Sequence, residues 1–230
     1  MSVIKPEQRY TKKEIERKVA NLLNQMQAKP NYAGLERRID ASRVADFLDI
    51  GVVWESLPSD DQGQIAAMIL PLQREIVINK DISKLREGYG QSTIAHEIGH
   101  WLLHINQDEV ERFVDRMERG IEVDVPTYLC RSASDQLYQS IANTQTDWRE
   151  WQAQYLASCL LMPLHILEQT QKGRDLTKWP HLYAMADELG VTISNLTNRL
   201  KGLDWIRLTQ NSKQIYLGDT APSRKTSAFR

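Results

Sequence analysis

The stretch STIAHEIGHWLLH, residues 92–104, places three of the chain's five histidines in an otherwise apolar run. Read as a helix over roughly 91–105, it puts His96 and His100 side by side, because residues four apart share a face. Two imidazoles so placed can reach one zinc ion at about 2.0–2.1 Å each. Glu97 is rotated about 100° around the helix axis, toward water on the open side of the ion and away from the ion itself. That division of labour, two ligands plus a general base, is the chemistry of an H-E-x-x-H helix. Chance is the bland alternative, but ionisable groups rarely sit in a run such as TIA–EIG–WLL without a partner.

His104 follows His100 by four and invites assignment as the third ligand. It stands eight residues from His96, about 12 Å along the axis, which no single zinc ion spans. It is expected to cap carbonyls near the helix end or to meet solvent. The longer pattern H-E-x-x-H-x-x-G-x-x-H also fails, since Leu103 and Asn106 stand where glycine and histidine are required. The third ligand therefore comes from elsewhere, and a carboxylate would complete a two-histidine, one-acid site with an open position. Glu109, Glu111, Glu118, Glu122, Asp124 and Glu150 lie downstream. The face of Glu150 continues through Ala153, Gln154, Ala157 and Leu161, and small alanines let two helices approach closely. Against that, Glu150 can simply close a capping box with Asp147. Cys130 could compete for zinc as a thiolate, although a buried inert cysteine is the commoner case.

With 41% apolar and 26% charged residues in 230, the chain can fill a globular core and is neither fibrous nor disordered. A formal charge of −1 gives no overall attraction for polyanions. Two cysteines make no disulfide framework. The charged start MSVIKPEQRYTKKEIERK lacks the apolar centre of a signal peptide, and the apolar runs are too short for a membrane span. A cytoplasmic protein with no membrane association is expected.

Thr11 and Glu14 form a capping box that opens a helix with Ile15, Val19, Leu22, Leu23 and Met26 on one stripe. A short helix near Ala41–Leu48 turns Val44, Phe47 and Leu48 inward. The runs VVWESL (52–57), QIAAMIL (64–70) and EIVINK (75–80) predict a small antiparallel meander. After the zinc helix, residues 107–124 predict an amphipathic helix with Val110, Val114, Met117 and Ile121 inward. Its seven acids against three arginines make a negative outer surface. A helix over about 147–162 ends at Pro163, and a short one runs on to about Lys172. Helices near 181–189 and 193–201, joined by Gly190-Val191-Thr192, precede DWIRLT and KQIYLG around the turn QNS. That order is the outline of a winged helix-turn-helix.

The segment Glu150-Trp-Gln-Ala-Gln-Tyr-Leu-Ala-Ser-Cys-Leu-Leu-Met-Pro163 resembles the E-x-x-A-N-x-F-A-x-x-L-L-M-P signature of the ImmA/IrrE family of metallopeptidases. IAHEIGHWLLH is similar to that family's zinc helix, and residues 185–206 to its segment beyond the LLMP motif. The resemblance covers roughly residues 45–206. Gln154 stands in place of the usual asparagine and Leu156 in place of phenylalanine, and Gln154 bears on how the site is packed or oriented. The resemblance implies Zn2+ held by His96, His100 and Glu150, with Glu97 catalytic. It also implies an intracellular protease whose partner is a helix-turn-helix transcriptional repressor. The acidic 107–124 helix would suit such a basic substrate. Tyr128, Arg131, Tyr155 and His165 have the chemistry to stabilise an oxyanion, and nothing in the sequence chooses among them.

A rival reading is a DNA-binding or repressor-binding regulator, a toxin–antitoxin-like partner, with a structural zinc. Asn195, Asn198 and Arg199 could read bases, yet residues 182–220 set four bases against four acids, a poor footprint for nucleic acid. Packing or repressor docking is the expected role there. The expected fold is α+β: a small antiparallel sheet packed on a zincin-like HEXXH helix, further helices, and a winged-helix-like C-terminus. The expected organisation is an N-terminal extension (1–40), a metallopeptidase domain (41–175), a helix-turn-helix-like segment (176–220) and a flexible tail (221–230).

Overall fold

A computed structural model describes residues 2–6, 8–32, 37–59, 65–82, 87–121, 132–133, 147–208 and 214–219. Glu122, Asp124, Tyr128, Cys130, Arg131, the QNS turn and the tail lie outside the described residues. The described fold is α+β.

Helix α1 (Lys12–Gln27) begins at the Thr11–Glu14 capping box and buries the five residues of its stripe. Helix α2 (Ala41–Phe47) is capped by Asp40, with Val44 fully buried and Phe47 and Leu48 packed at the edge of the core. Strands β1 (Gly51–Glu55), β2 (Ile65–Leu70) and β3 (Glu75–Asn79) follow. They do not form the expected meander. The order is β1-β3-β2-β4, with β1 parallel to β3 and β2 antiparallel to it. The physical reason is connection length. Residues 71–74 make a tight turn that forces β2 and β3 to pair, whereas residues 56–64 are long enough to carry the chain from the far edge of β3 back to β2. Strand β4 (Ser132–Ala133), which the sequence did not announce, adds to the other side of β2.

Helix α3 (Glu87–His104) lies against β2, and α4 (Gln107–Glu118) follows after the cap Asn106. The inward face of α4 differs from the expected one. Val110 and Phe113 are buried, while Met117 and Ile121 are about half exposed. The helix stops at Glu118 and Gly120 takes φ +70, so the last turn never reaches the core. Its acids are also partly neutralised, by Glu109–Arg112 (2.6 Å), Glu111–Arg74 (3.3 Å) and Asp115–Arg119 (3.6 Å) pairs.

Helix α5 (Asp147–Leu161) packs along α3, followed by α6 (Leu164–Thr170), α7 (Trp179–Leu189) and α8 (Ile193–Gly202). Gly190 in the left-handed region ends α7, and Thr192 caps α8. Strands β5 (Ile206–Leu208) and β6 (Ile215–Leu217) pair as an antiparallel hairpin. One cluster of buried apolar side chains runs from Val3 to Ile215. No described helix is long and apolar enough to cross a membrane.

Candidate metal centre

The close crossing of α3 and α5 creates the centre. A Cβ on Gly99 would stand 2.7 Å from the carbonyl oxygen and 2.8 Å from the Cα of Ala153. Only glycine on α3 facing the small, fully buried Ala153 on α5 allows this approach. With the backbones in contact, Glu150 is carried over the two imidazoles. Its Oε2 lies 3.0 Å from His96 Nε2 and its Oε1 lies 3.3 Å from His100 Nε2. The two Nε2 atoms are 3.0 Å apart. Three donors bonded to one zinc at about 2.1 Å in tetrahedral geometry would be about 3.4 Å apart. Two imidazole nitrogens and a carboxylate at 3.0–3.3 Å therefore fit a divalent cation, and their ligand atoms lie within 4.8 Å of one another.

His96 and His100 are each about 1% exposed, Glu97 is fully buried, and the Glu150 side chain keeps 32% exposure. The cluster thus opens to solvent on the Glu150 side. Burial would raise the Glu150 carboxyl, but the hydrogen bonds and charge of the two imidazoles hold it well below the usual carboxylate range. Burial would lower His96, but the Glu150 bond and charge, with Glu97 nearby, raise it above its ordinary value.

His104 takes neither expected role. The carbonyls at the end of α3 are satisfied by other groups. The Lys5 amide donates to the His104 carbonyl (2.8 Å), Lys5 Nζ to Leu102 (3.2 Å) and Gln107 Nε2 to Trp101 (3.4 Å). The His104 ring is instead turned inward, only 3% of the residue being exposed, with Trp148 edge-on at 5.9 Å. Its Nδ1 lies 3.1 Å from His100 Nδ1 and its Nε2 lies 3.2 Å from Gln152 Oε1. Burial, reinforced by His100, pushes it down to about 3, so it is a neutral imidazole. On the other imidazole of the pair, His96 Nδ1 lies 3.2 Å from Gln154 Oε1.

Among the downstream acids that are described, Glu150 alone joins the cluster. Glu109 and Glu111 are held by arginines as above, and Glu118 is exposed. Tyr155 faces away from the cluster, its hydroxyl donating to Glu16 Oε1 (3.1 Å), and His165 is exposed on α6. Neither is placed as an oxyanion donor. Asn195 and Arg199 of α8 also face inward. Asn195 Nδ2 donates to Ser92 Oγ on α3 (2.5 Å), and Arg199 is bidentate to Glu16 (2.6 and 3.0 Å) and donates to the Met162 carbonyl (3.2 Å). The Cys159 thiol lies 3.3 Å from that guanidinium, and its burial pushes it up to about 12. Gln154 also forms part of the wall of a cavity of about 400 Å3 between α1, α3, α5 and α8, floored by the stacked rings of Trp151 and Tyr155.

Sequence reasoning brought forward His96, Glu97, His100 and Glu150. It missed Gly99, Gln152 and the inward role of His104. The glycine inside an apolar helix was the available signal, because such a residue weakens a helix unless a neighbour comes close.

The fold and this cluster define an α+β protein with a buried two-histidine, one-carboxylate site able to hold a metal ion. No protein-family model matches the sequence, and no curated protein matches it. Among solved structures, a Mycobacterium tuberculosis transcriptional regulator aligns with a TM-score of 0.48 at 13% identity, over 82% of this chain and 47% of that one. The chain spans about half the length of that structure.

Proposed function

We propose that the chain is a zinc-dependent endopeptidase of the ImmA/IrrE type, acting within the cell on a helix-turn-helix repressor. In this reading α3 and the sheet form a zincin-like half, and α7, α8 and the β5–β6 hairpin form a winged-helix-like unit packed on it. The observation that carries the proposal is the position of Glu150, at 3.0 and 3.3 Å from the two imidazoles. The substrate class is supported by sequence resemblance.

A divalent cation held by His96, His100 and Glu150 would polarise a peptide carbonyl and make a water molecule acidic near neutral pH. Glu97 would serve there as general base toward the attacking water and as proton donor to the departing amine. Glu97 is fully buried, and its electrostatic influence reaches the neighbouring His96. The exposed flank of Glu150 gives the polypeptide its access, and the cavity beside Gln154 offers a seat for apolar side chains.

The test is purification followed by co-expression with the repressor encoded nearest the gene. The wild type is expected to carry one zinc per chain and to yield a cut repressor. Glu97→Gln keeps the zinc and cuts nothing, and Glu150→Ala loses most of the zinc. Cutting by Glu97→Gln, or a wild type that binds no divalent cation, would overturn the proposal.

A further inference from the structure

The third imidazole of α3 sits where it can decide which nitrogen of His100 faces the metal site. An amide oxygen only accepts hydrogen bonds. Gln152 Oε1, 3.2 Å from His104 Nε2, therefore requires a proton on that Nε2. A neutral imidazole has one N–H, so His104 Nδ1 is left as an acceptor. It lies 3.1 Å from His100 Nδ1, which must then supply the proton. His100 thereby holds a hydrogen on Nδ1, so that with a cation in place of a proton on the other nitrogen its Nε2 lone pair, on the atom 3.3 Å from Glu150, is free to ligate. Gln154 Oε1, 3.2 Å from His96 Nδ1, imposes the same tautomer on His96 in a single step.

We propose that His104 is a positioning residue, the middle link of a polar relay Gln152–His104–His100 that presents the His100 Nε2 lone pair to the cation. The proposal rests on the reading of His96, His100 and Glu150 as the ligand set. The relay has a direction. Turning the Gln152 amide end for end would reverse each bond and leave His100 with a hydrogen on Nε2, where it cannot ligate. The direction is the one set by the Gln152 amide with its Oε1 on His104 Nε2, and both side chains are shut off from solvent: Gln152 is 2% exposed, and His104 is 3% exposed with Trp148 against its ring. The relay also explains why α5 carries glutamines at both 152 and 154, on either side of the Ala153 contact. One serves each ligand, directly for His96 and through His104 for His100. Partners of this kind typically contribute 10–100-fold to metal affinity.

The experiment is chelator-competition zinc affinity on the full chain, with long-range proton–nitrogen NMR of the imidazoles in the zinc-loaded wild type. The NMR is expected to show His104 neutral with hydrogen on Nε2, and His96 and His100 with hydrogen on Nδ1. His104→Phe, which keeps the bulk and removes the acceptor, should weaken zinc binding by about 10–100-fold. His104→Gln, which can offer an amide oxygen to His100, should recover part of that loss. Gln152→Leu, which keeps His104 but frees its tautomer, should weaken zinc binding in the same direction if His104→Phe fails to fold. A purely structural role would lower the thermal stability of the metal-free chain without changing affinity in the order Phe, Leu, Gln. Hydrogen on His104 Nδ1, or unchanged affinity in both His104→Phe and Gln152→Leu, overturns the relay alone. A wild type that takes up no zinc overturns the ligand set, and the relay with it.

Discussion

Helix α5 meets its neighbours in two opposite ways, and the contrast shows how the site is held. Toward α3 the contact is made by removing side chain: Gly99 against Ala153, backbone to backbone, with no slack. Toward α1 and α8 it lends the Tyr155 hydroxyl and the Cys159 thiol to a charge pair that those two helices make with each other, Arg199 with Glu16. The first contact sets how closely Glu150 approaches the two imidazoles. The second fixes which helices stay together while leaving their spacing to long side chains.

The charge contact should give the largest stability change when one partner is removed. Glu16→Ala leaves a guanidinium with a fully buried side chain uncompensated, and is expected to cost about 3–5 kcal/mol in chemical denaturation. The double change Glu16→Leu with Arg199→Met should recover most of that loss. If Glu16→Ala were neutral, the contrast between the two contacts would fail. The steric contact comes next. Gly99→Ala puts a methyl into the Ala153 backbone, for about 1–3 kcal/mol of stability. Because α5 must back away, it should also weaken zinc binding, whereas Glu16→Ala should spare the affinity of the chains that remain folded. Equal zinc affinity in Gly99→Ala and wild type would sink the geometric role given to that crossing.

A smaller effect follows from pH. Burial would raise the Glu16 carboxyl, but the Arg199 bonds and charge, with the Tyr155 hydroxyl, hold it below its ordinary value of 4.5. A depressed carboxylate contributes its stability above the unfolded value and loses it as pH falls through the folded value. Wild type should therefore lose stability more steeply than Glu16→Gln as pH drops below about 5. Parallel curves for the two would contradict the pairing. The smallest change is expected of Asn195→Ala, about 1 kcal/mol for the bond to Ser92.

The histidine spacing was readable because it is local: a period of 3.6 puts His96 and His100 together whatever surrounds the helix. The same holds for the Thr11–Glu14 box and for the Gly190–Thr192 turn. The β1–β3 pairing was not readable, because strand patterns carry no label for a neighbour and the connection lengths decide. Ile121 was misplaced because the amphipathic pattern outlasts the helix that carries it, and Met117 because the last turn of α4 stands half exposed. Arg199 was read as a possible base reader because its partner, Glu16, lies 183 positions away, and no local pattern marks such a pair.

By itself, then, the sequence determined the helical pair of imidazoles, the carboxylate between them, and a short list of downstream acids, among which the family resemblance pointed to Glu150. Only the tertiary structure brought Glu150 onto the two rings, by bringing Ala153 into backbone contact with Gly99, and only it turned His104 inward. Periodicity along one helix is set by backbone geometry. The meeting of two helices is set by which side chains are small enough, far apart in the chain, to let them touch.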